Sequence, residues 1–182
     1  MELVELLILC FFLVLGLYGL DAYRREQRRR FILKERMPKE LQSARLALSE
    51  SYISTDAPRK MHGALDQFYR LTDGVHVLVD TKTRDQQRVY RKDIVQLSVY
   101  SLILRRNGYK VANYGYVRAV SPEGINYIKT PLLNDEETVW EYDRTEQVLS
   151  KKVTPMAAEH KGMCASCPQQ INCDQWRFAS GQ

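Results

Sequence analysis

The chain begins with one long apolar run and then changes to alternating and helical patterns. Residues 3–20 are apolar except for Glu5. At about 1.5 Å of rise per residue, this run is near the short limit for crossing a hydrocarbon core of about 30 Å. From residue 62 onward, short runs rich in β-branched and aromatic residues are separated by turn residues and by a helical repeat. The pattern predicts one transmembrane helix followed by a mixed α/β domain.

Two predicted strands, residues 62–71 and 75–83, flank an Asp-Gly pair, which is a strong signal for a hairpin turn. Because side chains alternate along a strand, Asp80 and Lys82 share one face, about 7 Å apart at roughly 3.3 Å per residue. Asp66 lies in the partner strand and can reach the same place. The pattern therefore predicts two carboxylates and a lysine at an exposed strand end.

A helix is predicted over residues 92–106, where apolar residues recur with helical spacing and an Asn-Gly pair ends the pattern. Gln96 and Tyr100 are four residues apart and share one face of this helix. That face is expected to order the neighbouring strand or to contact a DNA backbone. The remaining predicted elements are strands over residues 110–120 and 124–130 and a helix over residues 134–151.

The carboxylates of Asp66 and Asp80 are of the type that binds divalent cations. Mg²⁺ and Mn²⁺ take oxygen ligands and leave positions for water and phosphate. Lys82 beside such a cation would hold a water molecule or stabilise the charge on a phosphate. The alternative reading is an ordinary solvated strand face with a weak ion pair.

The chain resembles the RecB-like branch of the PD-(D/E)XK nuclease superfamily, and it is most similar to the small CRISPR-associated RecB-type exonucleases. Those proteins carry G-x-x-D, acid-x-Lys and Q-x-x-x-Y motifs in this order. Here the motifs read GALD from residue 63, VDTK from residue 79 and QLSVY from residue 96. The family's C-terminal C-x2-C-x5-C, which helps to bind a [4Fe–4S] cluster, corresponds to Cys164, Cys167 and Cys173.

The resemblance implies a restriction-endonuclease-like α/β fold, a mixed central sheet with flanking helices. It implies Asp66, Asp80 and the peptide carbonyl of Thr81 as ligands of Mg²⁺ or Mn²⁺. The residues that would take part in catalysis are Asp66, Asp80, Lys82, Gln96 and Tyr100. The implied activity is metal-dependent hydrolysis of DNA by an exonuclease acting on single-stranded ends. The alternative is a catalytically decayed, membrane-tethered DNA-binding or scaffold module with a structural metal site.

Two features of the family pattern have no obvious counterpart. A histidine or acid usually precedes the first aspartate as a further metal ligand, and the acids available here are Glu40 and Glu50. The family also has a fourth, upstream cysteine, whereas Cys10 lies within the apolar run. A cluster would then take a non-cysteine fourth ligand, with His160 or Asp174 nearest in sequence. Alternatively, His160 and the three cysteines would bind Zn²⁺ as a Cys₃His set, or the cysteines would hold no cofactor.

Charge predicts the orientation in the membrane. Glu2 and Glu5 precede the apolar run, while arginines and lysines follow it. Positive charge stays on the cytoplasmic side, so we expect a single-pass protein with its N-terminus outside and its catalytic domain in the cytoplasm. The predicted segments are a transmembrane anchor at 1–22, a basic juxtamembrane linker at 23–40, the nuclease core at 41–155 and a cysteine-containing segment at 156–182.

The predicted domain is only mildly basic. Residues 1–40 hold eight of the 27 basic and six of the 22 acidic side chains, which leaves 19 basic and 16 acidic ones, a net charge of +3, for the rest. A DNA-binding surface must therefore be local. The best candidate is formed by Lys82, Arg84, Arg88, Arg91 and Lys92. The aromatic side chains that could stack on bases are Tyr69, Tyr90 and Tyr109.

Overall fold

The computed structural model describes residues 2–154 and 167. The chain divides into two compact units, residues 1–138 and residues 139–182. The helices and strands are α1 Glu2–Glu35, α2 Lys39–Gln42, β1 Arg45–Thr55, β2 Met61–Arg70, β3 His76–Thr83, α3 Arg91–Arg106, β4 Tyr114–Ser121, β5 Gly124–Pro131 and α4 Asp135–Leu149.

The first unit is built on one five-stranded sheet, in which β1 to β5 lie side by side in chain order. The pairs β1–β2, β2–β3 and β4–β5 are antiparallel, whereas β3 and β4 are parallel. Parallel neighbours need a crossover connection, and α3 supplies it. The predicted α/β class, a mixed central sheet with flanking helices, is confirmed.

The β2–β3 hairpin forms where the Asp-Gly pair predicts it. Gly74 adopts a positive φ of 82°, and Asp73 accepts a hydrogen bond from the Val75 peptide N–H. The α3 helix begins one residue earlier than predicted. By contrast, β4 starts at Tyr114 rather than at residue 110, because the preceding residues make only an isolated parallel bridge between Val111 and His76.

The sheet is covered on both faces. Gly115 of β4 lies against Leu97 of α3, which places α3 over one face. On the other face Val77 and Val79 pack with Met37 and Leu41, from the segment after α1 and from α2. Because β3 is buried on both sides, it is the central strand that its apolar sequence predicts.

The α1 helix is continuous through the apolar run and the basic stretch that follows it. Its segment Leu7–Glu35 is long and apolar enough to cross a membrane, by length and composition, and most of its apolar side chains are exposed, whereas Ile32 packs against the core. At its C-terminal end, Arg118 of β4 donates two hydrogen bonds to the buried Glu35, at 2.6 and 2.9 Å. The helix is therefore joined to the sheet by a buried ion pair.

The last helix, α4, begins at a capping box. Asn134 accepts a hydrogen bond from the peptide N–H of Glu137 at 2.8 Å, and the Glu137 carboxylate accepts one from the peptide N–H of Asn134 at 3.1 Å. Both bonds satisfy donors that a helix start otherwise leaves free. The helix predicted over residues 134–151 is thus observed as Asp135–Leu149, with Asn134 as its N-cap.

Candidate active site

The end of β3 carries a lysine and an aspartate in direct contact. Lys82 Nζ lies 2.8 Å from Oδ2 of Asp80, as their shared strand face predicts. Oδ2 of Asp80 is buried, and within the described part of the chain this ionic contact is its one polar partner. A carboxylate oxygen held by a single lysine keeps a lone pair that a further ligand can use.

The α3 helix supplies the side chains that hold this pair. Gln96 accepts a hydrogen bond from Lys82 at 2.9 Å and donates to Oδ1 of Asp80 at 3.2 Å. Its amide nitrogen also lies 3.0 Å from the hydroxyl oxygen of Tyr100, one helical turn later. One amide therefore orients both charged groups of β3, and the i, i+4 spacing brings the tyrosine to it.

Asp66 stands where β2 and β3 separate. Their ladder covers four residue pairs and ends at Gln67 opposite Val79. One Asp66 carboxylate oxygen accepts a hydrogen bond from the Thr81 peptide N–H at 2.7 Å. Among the described residues Asp66 makes no other hydrogen bond, so its second oxygen is available beside Asp80.

Asp80 is buried, with 2% of its surface exposed, and does not lie at the exposed strand end that the sequence predicted. The α3 helix covers Asp80, while Lys82 keeps 24% of its side-chain surface exposed. Burial raises the pKa of Asp80 above its ordinary value, and the nearby charges of Asp66 and Asp93 add to the rise, while the Lys82 ammonium group opposes it. The carboxylate is thus held in a place that favours a bound cation.

A buried ion pair fixes the start of α3 next to the site. Arg84 donates to both carboxylate oxygens of Asp93, at 2.9 and 3.1 Å, and Asp93 also accepts a hydrogen bond from the Tyr90 peptide N–H. Burial opposes ionisation of Asp93, but these bonds outweigh it and lower its pKa. We did not predict this pair from the sequence, although an acid at the third helical position is a recognisable capping signal.

The two acids considered as further metal ligands, Glu40 and Glu50, lie in different parts of the sheet. Glu40 accepts hydrogen bonds from the hydroxyls of Tyr114, at 2.6 Å, and Tyr116. Tyr116 is paired with Val79, and Val79 and Asp80, as neighbours in one strand, face opposite sides of the sheet. Glu40 therefore lies on the opposite face of the sheet and cannot complete the site.

Glu50 occupies a different position. It precedes Ser51, which pairs with Leu65, so it stands across from Asp66 on the edge strand. It is exposed and has a positive φ of 44°, a strained conformation for a residue other than glycine. Nowhere in residues 2–154 or at 167 are three His, Cys, Asp or Glu side chains grouped closely enough to hold a metal ion.

Gly63 explains the first position of the G-x-x-D motif. A Cβ atom at residue 63 would lie 2.4 Å from a ring carbon of Tyr100, well inside van der Waals contact. Only glycine leaves room for the tyrosine ring at its present position. The G-x-x-D and Q-x-x-x-Y motifs are therefore parts of one packed contact.

Replacing Gly63 with alanine is expected to displace Tyr100 and break its contact with Gln96. We expect the free energy of unfolding to fall by about 1–3 kcal/mol, the usual cost of overpacking. The rate of DNA cleavage should fall about tenfold, as is usual when a hydrogen bond that supports a site residue is lost. Urea unfolding measures the first effect. In a protein that already carries Tyr100→Leu, Gly63→Ala should lower the free energy of unfolding much less. An equal loss in both proteins would contradict the contact between residue 63 and the Tyr100 ring.

The aromatic candidates have different surroundings. Tyr69 is buried in the core, and Tyr109 packs edge-on against Phe68 and His76, with ring centroids 5.4 Å apart in each case. Tyr69 therefore presents no face to a base, whereas Tyr109 keeps 37% of its surface exposed. Tyr90 is half-buried beside the site.

The cysteine prediction lies mostly outside the described residues. Cys167 is an exposed free thiol, while Cys164 and Cys173 fall outside that part of the chain, as do His160 and Asp174. The iron–sulfur and zinc readings therefore stay predictions.

Comparison with known proteins gives likenesses among solved structures. No protein-family model and no curated protein matches the chain. The crystal structure of SSO0001 is similar, with 15% sequence identity and a TM-score of 0.46, and the match covers 71% of this chain and 60% of that one. The chain thus spans less than two thirds of that protein, and its function has to be derived from the side chains of its own site.

Proposed function

We propose that this protein is a membrane-anchored, metal-dependent DNA nuclease with a restriction-endonuclease-like fold. The observation that carries the proposal is the buried Asp80 carboxylate, which is ion-paired with Lys82 through Oδ2 and lies next to Asp66. Buried acids with perturbed pKa values beside a lysine are a signature of functional sites. The proposed reaction is hydrolysis of phosphodiesters, as an exonuclease on single-stranded ends.

The donor set fits a hard divalent cation, Mg²⁺ or Mn²⁺. Asp66 would contribute the carboxylate oxygen that makes no hydrogen bond, Asp80 its Oδ2, and Thr81, the residue after Asp80, its peptide carbonyl. When bound, the cation supplies the charge that activates water and stabilises a phosphate oxyanion.

Each remaining side chain has a distinct task. The Lys82 ammonium group, held by Asp80 and Gln96, presents its remaining proton to a phosphate oxygen or a water molecule. Gln96 holds Asp80 and Lys82 in place because its amide donates a hydrogen bond to Asp80 and accepts one from Lys82. Tyr100 restricts the rotation of that amide through its hydroxyl contact.

We further propose that α1 spans the membrane with its N-terminus outside and the sheet domain in the cytoplasm. The arginines after its apolar part support this orientation. The cysteine segment is proposed to hold a [4Fe–4S] cluster, or Zn²⁺ with His160, in keeping with the spacing of Cys164, Cys167 and Cys173.

A direct assay tests the nuclease. Full-length protein in detergent micelles, mixed with Mn²⁺ and end-labelled DNA, is expected to shorten single strands from an end and to be inactive in EDTA. Asp66→Asn should lose this activity, whereas Asp73→Asn, in the β2–β3 turn, should keep it. Equal cleavage by the Asp66 variant and the wild type would assign the activity to a contaminant.

One observation favours a second candidate, the catalytically decayed DNA-binding or scaffold module. Within the described residues no third acid or histidine joins Asp66 and Asp80. Such a module would bind DNA in the same assay without shortening it under either Mg²⁺ or Mn²⁺.

A further inference from the structure

Three cationic side chains surround one aromatic ring beside the candidate active site. The guanidinium carbons of Arg88 and Arg84 lie 4.5 and 4.9 Å from the centroid of the Tyr90 ring, and Lys92 Nζ lies 5.9 Å from it. We call these four residues the Tyr90 patch. Each distance is within the range of a cation–π interaction.

The patch carries more positive charge than its acids neutralise. Arg84 is paired with the buried Asp93. Arg88 and Lys92 are exposed, and neither has an ion pair within the described residues. Asp85, in the same loop, is exposed and is not paired with either of them. Like charges gathered on one ring repel each other, and a polyanion on this surface would relieve that repulsion.

The patch belongs to the same rigid frame as the candidate active site. Arg84 follows Lys82 by two residues, and its peptide N–H donates to Val120 of β4 at 3.0 Å. Its partner Asp93 lies three residues before Gln96, so one turn of α3 connects the two sets. A ligand on the patch is thereby held at the start of the helix whose Gln96 contacts both Asp80 and Lys82.

We infer that the Tyr90 patch binds single-stranded DNA next to the reacting phosphodiester. This inference rests on the proposed function and assigns the residues that hold its single-stranded substrate. An unpaired base stacks on the Arg88 guanidinium plane, which the Tyr90 ring supports from behind, and Lys92 binds a neighbouring phosphate. Stacking of this kind needs a free base face, which a duplex does not offer. Arg84 does not contact DNA but holds Tyr90 and α3 in place.

Binding can be measured separately from cleavage. Full-length protein in detergent micelles is titrated, in EDTA, against fluorescein-labelled oligothymidylate and against a duplex of the same length, with anisotropy as the readout. We expect the single strand to bind more tightly. Arg88→Ala and Tyr90→Leu should each weaken single-strand binding about tenfold. Lys92→Gln should reduce the slope of log K against log salt by about 0.7, the loss of one phosphate contact.

Conservative variants separate stacking from charge. Arg88→Lys keeps the charge but not the plane, so it should lose affinity with little change in salt slope. Tyr90→Phe keeps the ring and should bind like the wild type. Lys110→Ala, just beyond the opposite end of α3, removes the same charge elsewhere and should change nothing. Circular dichroism melting curves establish that each variant is folded.

The outcomes distinguish this inference from the proposed function. Wild-type affinity in both Arg88→Lys and Tyr90→Leu, or equally tight binding of the duplex, overturns the patch even where the protein cleaves DNA. Loss of single-strand binding in these variants supports the patch, even where the wild type shows no cleavage with any divalent cation and the nuclease proposal fails.

Discussion

Asp80→Asn is expected to abolish metal-dependent DNA cleavage and, at the same time, to raise the melting temperature of the metal-free protein. Asparagine has nearly the same shape but no charge. A bound cation contributes several kcal/mol of charge stabilisation, and each 1.4 kcal/mol is a factor of about ten, so the rate should fall about a thousandfold or more.

The stability effect follows from the raised pKa of Asp80. A carboxyl group whose pKa is higher in the folded than in the unfolded state binds its proton more tightly when folded. Its contribution to stability therefore decreases as the pH rises through its ordinary value of 3.8 toward the raised folded value, and at neutral pH the ionised group opposes folding. The neutral amide does not carry this penalty.

Two measurements check the pair of effects. End-labelled DNA with Mn²⁺ reports cleavage, and circular dichroism melting in EDTA reports stability at neutral pH. Asp56→Asn, on an exposed loop, serves as the matched control and should change neither. A variant that melts lower than the wild type in EDTA would show that the Asp80 charge stabilises the fold and would contradict our account of the site.

Arg118→Ala is expected to be the most destabilising single change at the junction between α1 and the sheet. It leaves the Glu35 carboxylate, 6% exposed, without its cation, and only the Tyr127 hydroxyl at 3.2 Å remains. An uncompensated buried charge costs about 3 kcal/mol or more. Urea unfolding of the full chain in micelles measures this loss. Arg25→Ala, which breaks the exposed pair with Asp21, should cost less than about 1 kcal/mol.

The pH dependence identifies the cause. The hydrogen bonds from Arg118 lower the pKa of Glu35 below its ordinary value of 4.5, and burial only partly opposes them. A lowered folded pKa contributes stability that is present above 4.5 and is lost as the pH falls below it toward the folded value. The difference in free energy of unfolding between the wild type and Arg118→Ala should therefore be largest above pH 4.5 and should shrink as the pH falls below it. A constant difference between the two proteins across acidic pH would rule out the ion pair as the source.

Local signals in the sequence were sufficient for the elements that build the site. The turn between β2 and β3 needs a residue with positive φ, and Gly74 supplies it. The helical repeat after residue 91 places Gln96 and Tyr100 on the face that meets β3. These features depend on neighbours close in sequence, and such patterns are readable without a structure.

The edge strand β1 was not placed from the sequence. Most of its residues are exposed or half-exposed, and Ile53 is its one buried hydrophobic side chain, so the alternation that marks a strand is faint. The basic stretch after the apolar run was predicted as a linker, and it is in fact a continuation of α1. A readable signal existed, because arginine, glutamate and glutamine favour helices and no proline occurs before Pro38.

The burial of Asp80 and the separation of Glu40 from it were out of reach for a different reason. Both depend on contacts between residues far apart in the chain, such as Tyr116 with Glu40, 76 residues away. A single sequence carries no record of which distant side chains meet. For the same reason Arg118, half-buried in a strand, gave no sign of its pairing with Glu35, 83 residues earlier.

In the proposed membrane arrangement, the unbroken α1 helix, joined to the sheet at Glu35, limits the distance between the sheet domain and the bilayer. From Asp21 to Glu35 the helix rises about 21 Å, at about 1.5 Å per residue. A flexible linker would let the domain move over a wide range of distances, whereas a continuous helix would keep it in a thin layer along the bilayer. The proposed DNA substrate would then be cleaved only where it lies close to the membrane.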